Sequence, residues 1–464
     1  MNKYISSFLV GTMAMLTVSC EKSLDITPKD RVILDSVESL ELLLNQEFSF
    51  GSLEDLAMVT NESMSMFNTV PSIMSNHKSL DYACMAYDES VDRVELSTTD
   101  SRYTSLYSFI NYMNVITENI GDASGDKSQK PRIEAEARLL RAYFHYILVN
   151  IYAKQYDAST AETEGGIAYV NNTNSGETKV KLSVAEVYEN ILNDCDDKYI
   201  ECLYERHSNN ARIDKAFGYA VRAKALFQMK RYADAAVYAR KALEVNSRID
   251  DRSTCKSYGS WNLSNEDQSF YFYVAANSRI VPYFITLSRE TSKLFEPGDY
   301  VKDFTSGWDA DRGEMRSGLS GTLCYTTFST QQNQWGVRSE QMYYILGESL
   351  IRDGKIRDGL DYIDKVRAKR IDNYTPFTSI YDATPLNEKQ AVALIQPAKR
   401  IEFIASYDTF FDCKRWNSEP DYRQSITKDL GEYGTFTITP DSPLWVFPFP
   451  ANATRFNPTL TQNF

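Results

Sequence analysis

Two stretches, AFGYAVRAKALFQMKRYADAAVYARKALE at residues 216–244 and MYYILGESLIRDGKIRDGLDYIDKVRAKR at residues 342–370, share one pattern of small and apolar residues. In the first, Ala223 is followed by Leu226, Tyr232, Ala235, Ala239 and Ala242. In the second, the same spacings carry Gly347, Leu350, Ile356, Gly359, Ile363 and Val366. Recurrence at three and four residues makes one helical stripe. Gln228-Met229-Lys230-Arg231 and Arg352-Asp353-Gly354-Lys355 break the stripe at the same place in each copy. Each stretch therefore reads as two antiparallel helices around a short turn, with small residues where the helices touch. A generic helix pair would explain one copy; in-phase agreement between two favours a repeat.

The pair resembles tetratricopeptide-type hairpins, although the long insertion between the copies argues against a continuous array. Helical signals continue outward. Ser36–Phe48 places Val37, Leu40, Leu43 and Leu44 on one stripe, and Ser101–Asn119 does the same with Tyr103, Leu106, Tyr107, Ile110, Met113 and Ile116. Pro131 suits the first turn of a long helix from about Arg132 to Tyr156. Ser183-Val184-Ala185-Glu186 is a capping box opening a helix towards Tyr199. Gly51–Asp100, Ser247–Gly336 and Asn417–Phe464, rich in Gly, Ser, Thr, Asn, Pro and aromatics, read as loops with short strands. The predicted fold is mainly α. A tetratricopeptide-like helical-hairpin scaffold, about 33–48, 101–250 and 338–416, carries loop-rich, partly β insertions at about 51–100, 247–336 and 417–464.

At the N-terminus, Lys3 and the apolar run Ile5–Val18 precede Cys20. Such a segment is too short to span a bilayer and suits export and removal. Leu16-Thr17-Val18-Ser19 before the cysteine resembles a bacterial lipobox, which would make 1–19 a signal peptide and Cys20 the lipidated first residue of a single domain over 20–464. Several acyl chains hold firmly, since each buried methylene contributes about 0.8 kcal/mol. The plainer alternative is an ordinary secretory signal followed by a cysteine.

Acidic residues outnumber basic ones, 63 to 50, and no basic block exists, so nucleic acid is not an expected partner. No later apolar run is long enough to cross a membrane. Cys84, Cys195, Cys202, Cys255, Cys324 and Cys413 form no C-x-x-C pair and read mostly as buried free thiols, with Cys195 and Cys202 on one helix face. His77, His145 and His207 stand in unrelated contexts, without H-E-x-x-H or G-x-S-x-G. Asp194, Asp196 and Asp197 read as a solvated helix face. Asp309-x-Asp311-x-Gly313 has the opening spacing of a calcium loop but lacks its closing Glu. There is no glycine-rich phosphate cradle. No enzyme, cofactor or metal is expected.

Three further segments carry a family resemblance. Glu136-Ala137-Arg138-Leu139-Leu140-Arg141-Ala142-Tyr143-Phe144-His145-Tyr146, continuing to Asn150-Ile151-Tyr152, is followed by Gly165-Gly166-Ile167. Lys399-Arg400-Ile401-Glu402-Phe403 leads to Phe410-Phe411-Asp412-Cys413-Lys414-Arg415-Trp416. The tail holds Pro448, Pro450 and Asn457-Pro458-Thr459-Leu460-Thr461-Gln462-Asn463. Together with the lipobox these resemble, in order, the motifs of the SusD/RagB family of nutrient-uptake outer-membrane lipoproteins of Bacteroidetes. Ala405-Ser406-Tyr407 and Ala398 depart from the family pattern and mark a divergent branch. Arg400, Glu402, Asp412 and Arg415 read first as ion pairs between the last helix and the tail, and Trp416 as core. Arg138 and Arg141 read as scaffold too.

The resemblance implies a lipid-anchored outer-membrane protein, facing the cell surface, that captures an oligomeric nutrient and delivers it to a SusC-like TonB-dependent transporter. A glycan, as in polysaccharide utilisation, is the leading expectation. Oligopeptide cargo, or a helical-repeat scaffold that binds only protein, remain alternatives. Glycan rings need flat aromatics and polar neighbours. Tyr82, Tyr87, Trp261, Trp308 and Trp335 are candidate platforms in the loops, with Asp81, Asp88 and Arg93 as polar partners. Each aromatic has an equally ordinary reading as core or interface.

Overall fold

The computed structural model describes residues 34–464, apart from 47, 49, 65–68, 209–210, 254–268, 272–284, 301, 303–309, 326–335 and 405. Cys20, Cys255, Trp261, Trp308, Trp335 and Asp309 lie outside the described residues. The frame helices are α1 (Ser101–Asn119), α2 (Lys130–Tyr152), α3 (Val184–Asp194), α4 (Lys215–Gln228), α5 (Tyr232–Val245), α6 (Ser339–Arg352), α7 (Ile356–Arg367), α8 (Glu388–Glu402) and α9 (Tyr407–Asn417). Helix α1 packs on α2, α2 on α3 and α4, α4 on α5, and α6 on α7 and α8. The two hairpins are not isolated: α5 packs against α6, so the insertion between them loops out and the array is continuous in space. Among the described residues four two-stranded sheets accompany it: β1 (Gly165–Ala168) with β2 (Lys181–Ser183), β3 (Ser269–Tyr271) with β6 (Val337–Arg338), β4 (Ile285–Leu287) with β5 (Leu323–Tyr325), and β7 (Ile426–Asp429) with β8 (Thr435–Ile438).

Small residues do what their spacing predicted. A Cβ on Gly347 would sit 2.8 Å from Gly359 O and 2.7 Å from Ile363 Cγ1, so only glycine lets α6 and α7 approach this closely. Asp100 caps α1 by accepting from Arg102 N, and the Ser183–Glu186 capping box opens α3. The predicted helix to Tyr199 stops earlier, with Cys195 as the C-cap of α3 and a separate turn at Asp197–Ile200. Cys195 is accordingly buried and Cys202 exposed, rather than both on one face. The first predicted helix is shorter as well: Val37–Leu42 passes into a 3-10 turn at Leu43–Asn45.

Helix α2 is buried along nearly its whole length and ends at Tyr152, short of the predicted Tyr156. The last carbonyls of a helix need outside partners. Here Lys414 Nζ donates to Asn150 O (2.5 Å) and Ala153 O (2.8 Å). Phe447 N donates to Ile151 O (3.0 Å), and Asn463 Nδ2 to Tyr152 O and Gly166 O (both 2.8 Å). The tail motif is thus a staple. Its Gln462 side chain exchanges two hydrogen bonds with the Phe449 backbone, and Asn457 Nδ2 donates to Lys179 O.

The motif charges pair with the second hairpin, with one another and with a distant backbone carbonyl, not with the tail as expected. Glu348 accepts from Arg415 (2.8 and 2.9 Å) and from Trp416 Nε1 (2.9 Å). Lys399 pairs with Asp412 at 2.8 Å, and Arg370 with Glu402 at 2.8 Å. Arg400 donates to Thr60 O (2.8 Å). Asp194 is no solvated face: buried, it takes both arms of Arg141 (2.6 and 2.7 Å) and the Tyr169 hydroxyl (2.6 Å). His145 packs face to face on Tyr169. Its Nδ1 donates to Arg141 O (2.9 Å) and its Nε2 accepts from Val170 N (3.0 Å), a neutral imidazole whose pKa burial pushes down to about 3.

Candidate functional site

Two hollows flank the start of α1, where the tail crosses it. The first, about 250 Å³, is lined by Asp55, Asp81, Arg93, Ser97, Asp100 and Arg102 among others. Arg102 grips Asp55 with both terminal nitrogens (2.6 and 2.7 Å) and reaches Asp100 at 3.1 Å. The two acids lift the Arg102 pKa against the opposing pull of its burial. Burial outweighs Arg102 at Asp55 and raises its carboxyl. At Asp100, burial is overcome by Arg102 and the Tyr152 hydroxyl, and the carboxyl sits below its usual range. The hollow therefore combines a fixed guanidinium with carboxylates of unequal basicity.

Asp81 and Arg93, predicted from separate stretches, meet at this hollow. Arg93 is committed to the fold: it donates to Val446 O (2.9 Å) and Pro443 O (3.0 Å) and lies over the Phe464 ring at 4.4 Å. Tyr82, beside Asp81, is half-buried and stacks on exposed His77 with centroids 4.5 Å apart and planes 24° apart, a flat two-ring shelf. Tyr87 is buried, donating to Val59 O (3.0 Å) beneath the Lys428 ammonium. Asp88 accepts from Ser90 N (2.9 Å) and Oγ (2.6 Å), forming a turn.

The second hollow is a groove of about 580 Å³ that sequence reasoning missed. Tyr103, Tyr107 and Tyr112 from α1 form one wall; Asn452 and Asn457 from the tail stand opposite. Tyr103 and Tyr107 meet with centroids 4.7 Å apart at 55°, Tyr107 donates to Ala168 O (2.8 Å), and Tyr112 is 36% exposed. Burial holds the Tyr103 and Tyr107 hydroxyls protonated far above neutral pH. Asn111 and Asn452 are exposed at its rim. Tyr103 and Tyr107 looked like core because they share the apolar stripe of α1; the signal was the neighbouring Asn111-Tyr112, which lies off that stripe. Among the described residues no His, Cys, Asp and Glu gather as a metal site, and no helix is long and apolar enough to cross a membrane.

The hollows lie between the frame helices and the tail that closes over them. Residues 24–226 match the SusD-like_3 family model, described as starch-binding associating with outer membrane. The fold as a whole is shared with solved structures. A SusD superfamily protein from Bacteroides thetaiotaomicron superposes with a TM-score of 0.68 at 14% identity, covering 92% of this chain and 100% of that one. A SusD-like carbohydrate binding protein from Bacteroides vulgatus gives 0.67 at 16%, covering 92% and 97%. Surface glycan-binding protein A from Bacteroides uniformis gives 0.68 at 15%, covering 88% and 93%. No curated protein sequence matches the chain. The chain is thus similar to the SusD-like_3 family in sequence over 24–226 and shares its fold with SusD superfamily structures.

Proposed function

We propose that this protein captures a glycan at the cell surface, held to the outer membrane through Cys20, and passes it to a TonB-dependent transporter. The tyrosine groove carries the reading. Sugar rings offer apolar C–H faces bordered by hydroxyls, and a tyrosine wall opposite side-chain amides matches both. The His77–Tyr82 shelf and Asp81 extend the same chemistry around the adjoining hollow. Pairing by Arg102 leaves that hollow with acceptors for hydroxyls rather than with a reactive acid. Binding, not turnover, is the role these surfaces suit, and the family description and the glycan-binding relatives agree with it.

Isothermal titration with starch, other polysaccharides and peptide digests tests the cargo. Tyr112→Ala and Asn452→Ala are each expected to weaken glycan binding about tenfold, the loss of one good contact. Heat from peptides alone would replace glycan with peptide as cargo. Delivery is tested separately: membrane extracts should yield the protein together with a barrel-sized partner, and recovery without one would remove the transporter.

A further inference from the structure

The tail closes the tyrosine groove with one helical turn, and that turn carries a ring just outside the groove. Arg455 N donates to Ala451 O (2.9 Å), Phe456 N to Ala453 O (3.4 Å) and Asn457 N to Thr454 O (3.2 Å), which continues the short helix Ala451–Thr454 as a turn to Asn457. Residues three and four apart on such a turn share a face. Asn452, Ala453 and Asn457 all line the groove. Phe456 follows Asn452 by four positions and Ala453 by three, so it stands on their face, next to the lining. It is 77% exposed, the most exposed of the large hydrophobic side chains among the described residues.

A phenylalanine exposed singly needs no explanation, but this one has apolar company. Val180, 57% exposed, lies between Lys179, whose carbonyl accepts from Asn457 Nδ2 (2.5 Å), and Lys181, whose N–H donates to Thr459 Oγ1 (3.1 Å). Tyr112 is the exposed ring of the groove wall. The Arg455 guanidinium lies over the Phe456 ring, 5.5 Å from its centroid, and restrains the ring while most of the side chain stays in water.

Resting on the reading of the groove as a glycan site, we infer that Phe456 is an outer platform on which the cargo stacks as it leaves the groove, which makes the site one for a chain of linked sugars rather than a single unit or a pair. Asn452, exposed on the same face, stands beside the ring. Ring and amide together match the apolar C–H face and rim hydroxyls of one more sugar, whereas an apolar protein segment laid there would bury the amide without a partner. Affinity should therefore rise with chain length until the chain reaches Phe456, then level off.

Isothermal titration of the full chain with malto-, cello- and xylo-oligosaccharides, from disaccharide to heptasaccharide, tests this. For the series that binds, Phe456→Ala should weaken the heptasaccharide about fivefold and leave the disaccharide unchanged, with the melting temperature unmoved because the ring is exposed. Phe456→Trp should restore the gain with length. Phe456→Leu, apolar but not flat, should not. Tyr112→Ala, inside the groove, should weaken every length. A heptasaccharide bound equally by Phe456→Ala and the parent protein, or an equal loss at every length, overturns the inference while Tyr112→Ala still scores the groove. If Tyr112→Ala binds every length as before, or no series gives heat, the groove reading falls and this inference with it.

Discussion

The two hairpins place opposite charges at one and the same repeat position. Lys224 follows Ala223 in the first and Glu348 follows Gly347 in the second. Both are buried, and both reach α9. Lys224 meets Asp408 in its first turn at 2.5 Å, while Glu348 meets Arg415 and Trp416 in its last. An acid near the N-terminus and a base near the C-terminus are also what the helix dipole favours. The clamp therefore sets the direction in which α9 lies, and α9 supplies Lys414 to the end of α2. Contact chemistry differs too: alanines separate α4 from α5, whereas Gly347 and Gly359 bring α6 and α7 into backbone contact.

The comparison can be broken in graded steps. Glu348→Ala strips the acid from Arg415, Lys399 and Arg352 and should cost about 3–5 kcal/mol in urea unfolding, the usual penalty of buried charges without a partner. Lys224→Met should cost less, about 1–3 kcal/mol, since Asp408 keeps Gln341 Nε2 at 2.6 Å and the helix N-terminus. Gly359→Ala drives a methyl into Gly347 O and Ile351 and should cost about 1–3 kcal/mol. Ala235→Gly at the matching position should cost about 1 kcal/mol, as helix propensity alone. If the two losses are equal, close backbone contact is not special to the second hairpin.

Acid and base separate the same pair. Arg415 and its neighbours hold the Glu348 pKa below its usual value against the cost of burial. Its contribution is therefore present above about pH 4.5 and lost as pH falls below it. Burial lowers the Lys224 pKa, only partly offset by Asp408. The unfolded chain then binds more protons between the folded value and about 10.4, so stability rises with pH across that window. Each group changes the slope by at most about 1.4 kcal/mol per pH unit. Urea midpoints from pH 3 to 10 should show the acid arm flatten in Glu348→Gln and the alkaline arm flatten in Lys224→Met; unchanged arms would remove either assignment. The smallest effect is at the turns. Gly354 has φ +76°, so Gly354→Ala should cost about 1 kcal/mol, whereas Lys230, already at φ +60°, should tolerate alanine within about 0.5 kcal/mol.

Much of the frame was legible because it is written in local periods. The hairpin turns, the extent of α1, the Ser183 capping box and the Gly347–Gly359 contact all follow from spacings within one or two helical turns, where geometry leaves few choices. Errors gathered where a distant segment supplied the deciding partner. Helix α2 ends early because Lys414, Phe447 and Asn463 take its last carbonyls, and α3 ends at Asp194, which Arg141 and Tyr169 draw inward. The candidate surface divides the same way. Asp81 and Tyr82 were singled out as candidates in a loop-rich region, although they sit on a short helix, Leu80–Met85; nothing local to Tyr103, Tyr107 and Tyr112 says that Asn452 and Asn457 line the same groove.

By itself, then, the sequence determined the helical class, the paired hairpins and the family motifs, because each is a pattern in neighbouring residues. Only the tertiary structure decided which buried charges meet, that the hairpins stack despite their insertion, and where the tail closes over α1 and α2. Those outcomes depend on contacts between residues from tens to hundreds of positions apart, and a side chain's partners show only once the chain is folded.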